Sequence, residues 1–216
     1  MSASGVTPSV EERDGRCPDT HDPDHEILAR VAAGEVELFA QLVERHQGRL
    51  LRLCQRLLGN AEEAQEAAQE TFLKAYRKAG GYRPRGKVYT WLYRIATNHC
   101  LNQLRRRRIV RFLSLGQMGG AAGDDDEDRE FDPPHGAADP EQALVSRRRW
   151  LDTRRAIDRL PPGQRSVLVL AKFEGLSYRQ IAEVLEITEG AVESRLFRAM
   201  RNLEAAQETA AQESTG

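Results

Sequence analysis

The sequence predicts an all-α protein: two small helical domains joined by a flexible acidic linker. Three observations predict it. Apolar residues recur at three- and four-residue steps through residues 35–99 and again from about 141 to 203, the spacing of helices that each bury one stripe. Residues 112–139 interrupt that rhythm with Gly119-Gly120, five acidic residues in 124–128 and Pro133-Pro134, leaving too few apolar side chains to offset the entropy of ordering the backbone. Formal charge is also segregated: the whole chain carries −1, but residues 1–70 sum to −7, 71–123 to +12, 124–141 to −8 and 142–216 to +2. Such blocks mark distinct working parts.

Residues 1–24 read as a disordered tail. Cys17, His21 and His25 recur every four residues, a spacing that on a helix would align three soft metal ligands. Pro18, Pro23 and three Asp in the same stretch favour the tail, so neither a metal nor any other cofactor is expected.

The first domain, residues 25–111, opens with a short helix. A longer helix from Glu35 to Leu58 follows, with Phe39, Leu42, Val43, Leu50, Leu53 and Leu57 on its buried side and Gly59 at its end. Asn60 with Glu63 has the form of an N-cap and its partner, opening a helix to about Lys78. Its stripe is Ala64, Ala67 or Ala68, Thr71, Phe72, Ala75 and Tyr76. Gly80-Gly81 stops it, and the basic loop YRPRGK leads to a third helix burying Val88, Trp91, Leu92, Ile95, Ala96 and His99.

The second domain, residues 140–206, regains helical periodicity near Glu141, and Pro161-Pro162 separates its first helix from one over Gly163 to Phe173. Ser177 with Gln180 then forms a capping-box start, with Ile181, Ala182 and Leu185 apolar. Thr188 caps a further helix that turns Val192, Leu196, Met200 and Leu203 inward. Two helices joined by a tight turn, the second with a polar outer side, form a helix-turn-helix; a plain helical hairpin closing a small bundle has the same spacing. Residues 207–216 are a second tail.

Residues 71–123 hold twelve Lys or Arg and no Asp or Glu, the composition of a phosphate-facing surface. Arg94, Asn98, Asn102 and Arg105, spaced four, four and three, share one side of the third helix. That side can read DNA, since Arg bonds phosphate or guanine edges and Asn can pair with adenine. The run Arg105 to Arg108, Arg106 included, points all round a helix, so it neutralises phosphate rather than reading bases. A solvated basic helix end is the other reading. In the last helix, inward Val192 and Leu196 leave Ser194, Arg195 and Arg198 outside, while Tyr178 and Arg179 at the start of the preceding helix suit phosphate.

No apolar run approaches a membrane span and the N-terminus lacks the pattern of a signal peptide, so a cytoplasmic location is expected. Cys17, Cys54 and Cys100 form no CxxC pair and read as free thiols. With no Gly-rich phosphate loop, metal cluster or Ser/His/Asp arrangement, the chain is not expected to be an enzyme.

The stretches EAAQETFLKAY at 66–76, TWLYRIATNHCLNQLRRRR at 90–108 and RLPPGQRSVLVLAKFEGLSYRQIAEVLEITEGAVESRLFRA at 159–199 resemble a bacterial RNA polymerase sigma factor of the extracytoplasmic-function (ECF) subfamily of the sigma-70 family. The resemblance covers about residues 25–111 and 140–206, including order and spacing. It departs from the family's usual pattern at Glu66-Ala67-Ala68 and at Glu193, which bear on affinity and promoter sequence. It implies that the chain binds core RNA polymerase, directs it to promoter DNA through −10 and −35 elements, and promotes strand opening. Glu66, Gln69 and Glu70 would dock on the polymerase clamp; Phe72, beside them, reads better as buried core. Tyr82 and Arg83 in the loop would stack on an extruded base, together with the stripe Arg94, Asn98, Asn102, Arg105 and Arg106 at the −10 element. Tyr178, Arg179, Ser194, Arg195 and Arg198 would meet the −35 element. The acidic linker would thread the polymerase channel or act as a plain tether, and an anti-sigma factor inserting between the domains is a further expected partner. The competing reading is a helix-turn-helix transcriptional regulator that is no polymerase subunit.

Overall fold

The computed structural model describes residues 22–83, 86–115 and 151–213, and the described residues form helices without a strand. In chain order the α-helices are α1 (Pro23–Ala32), α2 (Phe39–Leu58), α3 (Ala61–Lys78), α4 (Val88–Leu115), α5 (151–159), α6 (Pro162–Leu168), α7 (Tyr178–Leu185) and α8 (Glu189–Glu213). Short 3₁₀ turns precede α2 and follow α3. The expected boundaries shift outward: α1 starts at Pro23 within the supposed tail, α4 runs to Leu115 and α8 to Glu213. Cys17 and His21 lie outside the described residues, as does most of the acidic linker.

Local chemistry accounts for these helices. Asp22 accepts from Asp24 N and starts α1 with Pro23 in its first turn. Asn60 caps α3 by accepting from Glu63 N at 3.0 Å, and Ser177 and Gln180 cap α7 reciprocally. Gly59, at φ 75°, ends α2 in the left-handed conformation that glycine adopts without steric cost. α6 widens over Val169–Phe173 into a turn whose bonds span five residues, with Glu174 N donating to Val169 O at 3.1 Å.

α2, α3 and α4 pack as a three-helix unit around Leu42, Leu50, Leu53, Leu57, Ala64, Ala75, Val88 and Leu92, all fully buried. Cys54 and Cys100 are free thiols buried in this core; their mutual hydrogen bond, then burial, push the Cys100 pKa up. α6, α7 and α8 form the second unit around Val167, Leu170, Ile181, Val184, Val192 and Ala199. Two expected core residues are corrected: Tyr76 is 40% exposed and Met200 37%, their places being taken by Ala79 and Ala199.

The two units share one continuous apolar core, and polar links cross between them. Arg165, buried on α6, donates to Leu57 O at 2.9 Å, and Arg154 donates to Gln55 O at 3.2 Å, so second-domain arginines satisfy carbonyls at the C-terminal end of α2. Burial holds the Arg165 pKa below its ordinary value. A Cβ at Gly59 would stand 3.1 Å from Asp158 Oδ1, so the close approach of α5 is a second constraint on this position. Glu174 accepts from Arg56 Nη1 at 2.9 Å and from Tyr93 Oη at 2.6 Å, while Arg56 lies 5.0 Å over the Phe173 ring.

Candidate nucleic-acid interface

The basic cleft is built on the start of α4. Asp22 also accepts from Val88 N at 2.8 Å, so one carboxylate fixes the first turns of α1 and α4 together. Between them Tyr82 is held half-buried: its ring centroid is 5.7 Å from that of His25 and 4.8 Å from that of Trp91, and its Oη lies 2.9 Å from His25 Nδ1. Burial first, then the nearby Asp22 and Asp24 carboxylates, push the Tyr82 pKa up to about 12, so the phenol stays protonated at neutral pH. His25, whose spacing from Cys17 and His21 raises the question of a metal site, stacks on Tyr82, and its two companions lie outside the described residues.

Beside Tyr82 opens a cleft of about 430 Å³ lined by Arg77, Lys78, Gly81, Arg83, Trp91 and Arg94. Aromatic walls with a rim of cations suit a flat base and its flanking phosphates. Trp91, expected in the core, packs against it part-buried and also lines this cleft, and Arg77 and Lys78 join the site from the end of α3.

The predicted stripe lies within α4. Arg94 and Asn98 are partly exposed, Asn102 and Arg105 exposed, and Arg105 Nη1 donates to Asn102 Oδ1 at 3.2 Å. The four arginines divide: Arg105, Arg106 and Arg108 face solvent, while Arg107 turns back to Leu58 O and pairs with Glu63. Arg107 is therefore a fastener between helices as well as a charge.

On α3, Glu66 and Gln69 are exposed and Glu70 is partly so, pairing with Lys74 at 3.5 Å. Lys74 in turn lies 2.8 Å from His99 Nδ1 on α4. Phe72 is buried, its ring edge-on to Phe39, as expected for a core residue. Sequence reasoning missed Leu73, 50% exposed beside Gln69 and Glu70; its place off the buried stripe was the available signal.

In the helix-turn-helix, Glu186 at φ 55° makes the turn and Thr188 Oγ1 accepts from Ala191 N at 3.2 Å to start α8. Ser194 and Arg198 are exposed on α8, while Arg195 is partly buried with its guanidinium close to Gly163 on α6. Tyr178 and Arg179 stand exposed at the start of α7, Arg179 pairing with Glu183 at 3.6 Å. Tyr178 and Arg179 open α7 and Ser194, Arg195 and Arg198 lie on α8, all in the second unit, whereas the α4 stripe belongs to the first.

Residues 42–109 match the family model for Sigma-70 region 2, and residues 151–203 match the model for Sigma-70, region 4. RNA polymerase sigma-H factor of Pseudomonas aeruginosa is 37% identical over 191 residues, covering 87% of this chain and 95% of that protein. ECF RNA polymerase sigma factor SigW of Bacillus subtilis is 32% identical over 171 residues, covering 79% of this chain and 89% of that protein. Among solved structures, CnrH in complex with the cytosolic domain of CnrY superposes with a TM-score of 0.59 at 26% identity, covering 87% of this chain and 99% of that one. The sigma factor RpoE of Bartonella quintana, solved with the anti-sigma factor NepR, shares the fold with a TM-score of 0.58 at 22% identity, covering 79% of this chain and 96% of that one. A lone helix-turn-helix regulator would match in the second domain only, so the region 2 match excludes that reading. With a matching region in each domain and relatives aligned over nearly their whole length, the chain belongs to the ECF group of the sigma-70 family of RNA polymerase sigma factors.

Proposed function

We propose that three separate surfaces divide the work of initiation. The row Glu66, Gln69 and Glu70, with exposed Leu73 beside it, docks on core RNA polymerase, its carboxylates and amide meeting basic groups while leucine anchors the contact. The cleft at Tyr82 and Arg83 receives a base extruded from the −10 element, and Arg94, Asn98, Asn102, Arg105 and Arg106 hold the adjoining strand. Ser194, Arg195 and Arg198 enter the major groove of the −35 element, with Tyr178 and Arg179 on phosphate. The observation that carries this reading is the aromatic cleft rimmed by Arg77, Lys78, Arg83 and Arg94, which a purely structural helix junction does not need.

The protein works in the cytoplasm as a dissociable polymerase subunit, without catalytic chemistry of its own. No helix of the described residues is long and apolar enough to cross a membrane. As the Bartonella quintana RpoE was solved with the anti-sigma factor NepR, an anti-sigma factor is a partner of this chain too.

Two substitutions test the division of labour. Glu70→Lys lowers affinity for core polymerase while leaving binding of the duplex −35 element by the free chain intact. Arg198→Ala leaves core affinity intact and weakens −35 use by about 1–3 kcal/mol, the worth of one good base contact. Unchanged core affinity in Glu70→Lys removes that residue from the docking surface. Equal loss on scrambled duplex makes Arg198 a phosphate contact.

A further inference from the structure

α1 precedes both matched regions, the first of which begins at residue 42, yet its first turn reaches the cleft. Asp24, only 6% exposed, accepts from Arg45 Nη1 at 2.6 Å and lies 2.6 Å from His46 Nε2, so it fastens the start of α1 to α2. Ile27, Leu28 and Val31 seat the rest of the helix in the apolar core. Anchored in this way, α1 and its N-cap present two side chains to the elements that form the cleft. Asp22 accepts from Val88 N at the first residue of α4, and His25 Nδ1 lies 2.9 Å from Tyr82 Oη.

Tyr82 depends on such a hold. Gly80 and Gly81 precede it with open space where a Cβ would stand, so side-chain packing does not fix the turn that carries the ring. The ring is set instead by His25 on α1 and Trp91 on α4. A hydroxyl engaged by His25 is not offered to a base edge. Tyr82 therefore meets a base by stacking, while Arg77, Lys78, Arg83 and Arg94 supply the cations around it. A ring ordered in advance spares the arriving strand the cost of ordering it.

We propose that α1 belongs to the −10 site: Asp22 and His25 are positioning residues that hold the start of α4 and the Tyr82 ring in the geometry that receives an extruded base. The proposal rests on the cleft at Tyr82 being that site. It adds to the site an element that lies outside the region 2 match, and it assigns the Tyr82 hydroxyl to the protein rather than to DNA.

The test uses the full chain with saturating bacterial core polymerase on a promoter fragment mapped by run-off transcription, and reads the permanganate reactivity of unpaired thymines. His25→Phe keeps a ring and loses the hydrogen bond; Tyr82→Phe loses the same bond from the other side. Each lowers the opened fraction roughly three- to tenfold, the worth of one hydrogen bond. The double variant opens no less than either single one, because both remove one interaction. Asp22→Ala also lowers opening, and in all four variants core affinity and duplex −35 binding stay within about twofold of the parent. Losses that add in the double variant overturn the proposal by making the Tyr82 hydroxyl a direct base contact. Parental opening in both single variants overturns it, as does an equal loss of core affinity, which would make the effect one of folding. Tyr82→Ala checks the site reading apart from α1. Unchanged opening there removes the cleft from the DNA site and the proposal falls with it, whereas a defect in Tyr82→Ala with parental opening in His25→Phe overturns the proposal alone.

Discussion

His99 couples the two outward surfaces of the first domain through one hydrogen bond, to the Lys74 that also pairs with Glu70. Burial first, then the Lys74 ammonium, hold the His99 pKa below its ordinary 6.5. The folded chain therefore binds a proton at this site less readily than the unfolded one. The stability this contributes is present above about pH 6.5 and is lost as the pH falls through the depressed folded value. His99→Gln should flatten the fall in melting temperature on acidification below pH 6.5, and an unchanged slope would place that pH dependence elsewhere. Individual roles were unevenly legible at this scale. The stripe on α4 was readable because helical spacing alone puts Arg94, Asn98, Asn102 and Arg105 on one side. Glu174 and Arg165 carried no such signal, because their partners stand 81 to 118 residues away for the first and 108 for the contact with Leu57.

Elements were read well where the chemistry is local. The capping box at Ser177 and Gln180 and the cap at Asn60 are written within four residues, and both form as expected. Ser177→Ala should cost about 1 kcal/mol in chemical denaturation, with the loss shared by α7 and therefore by the helix-turn-helix. No measurable loss would mean that packing against α4 and α8, rather than the cap, determines α7. The two misplaced core residues have one cause. Two four-residue steps carry the chain from Ala68 to Tyr76 and from Val192 to Met200, and eight residues at 3.6 per turn rotate a side chain by about 80° from its start. That drift takes Tyr76 to the rim, where its ring meets Phe39 edge-on at 5.4 Å, and leaves Ala79 and Ala199 inside. The widened turn at Val169–Phe173 had no local signature either; it ends beside Glu174, whose carboxylate crosses to the first domain.

At the scale of the whole molecule, charge segregation predicted separate working parts, but not that the two helical units close on one another. Closure depends on surfaces far apart in sequence: α2 carbonyls against Arg154 and Arg165, Tyr89 against Gln180, and Arg94 against Glu186. It also sets a requirement on any anti-sigma factor inserting between the domains, which must replace the links at Glu174 and Arg165 or bind elsewhere and leave them intact. The central claim remains that this chain converts core polymerase into a promoter-specific enzyme, and run-off transcription tests it most directly. Purified bacterial core polymerase, this protein and fragmented DNA from its source genome, at stated salt, should yield discrete protein-dependent RNA starts that share a −10 and a −35 element. Starts that are the same with and without the protein, despite its binding to core polymerase, would contradict the account.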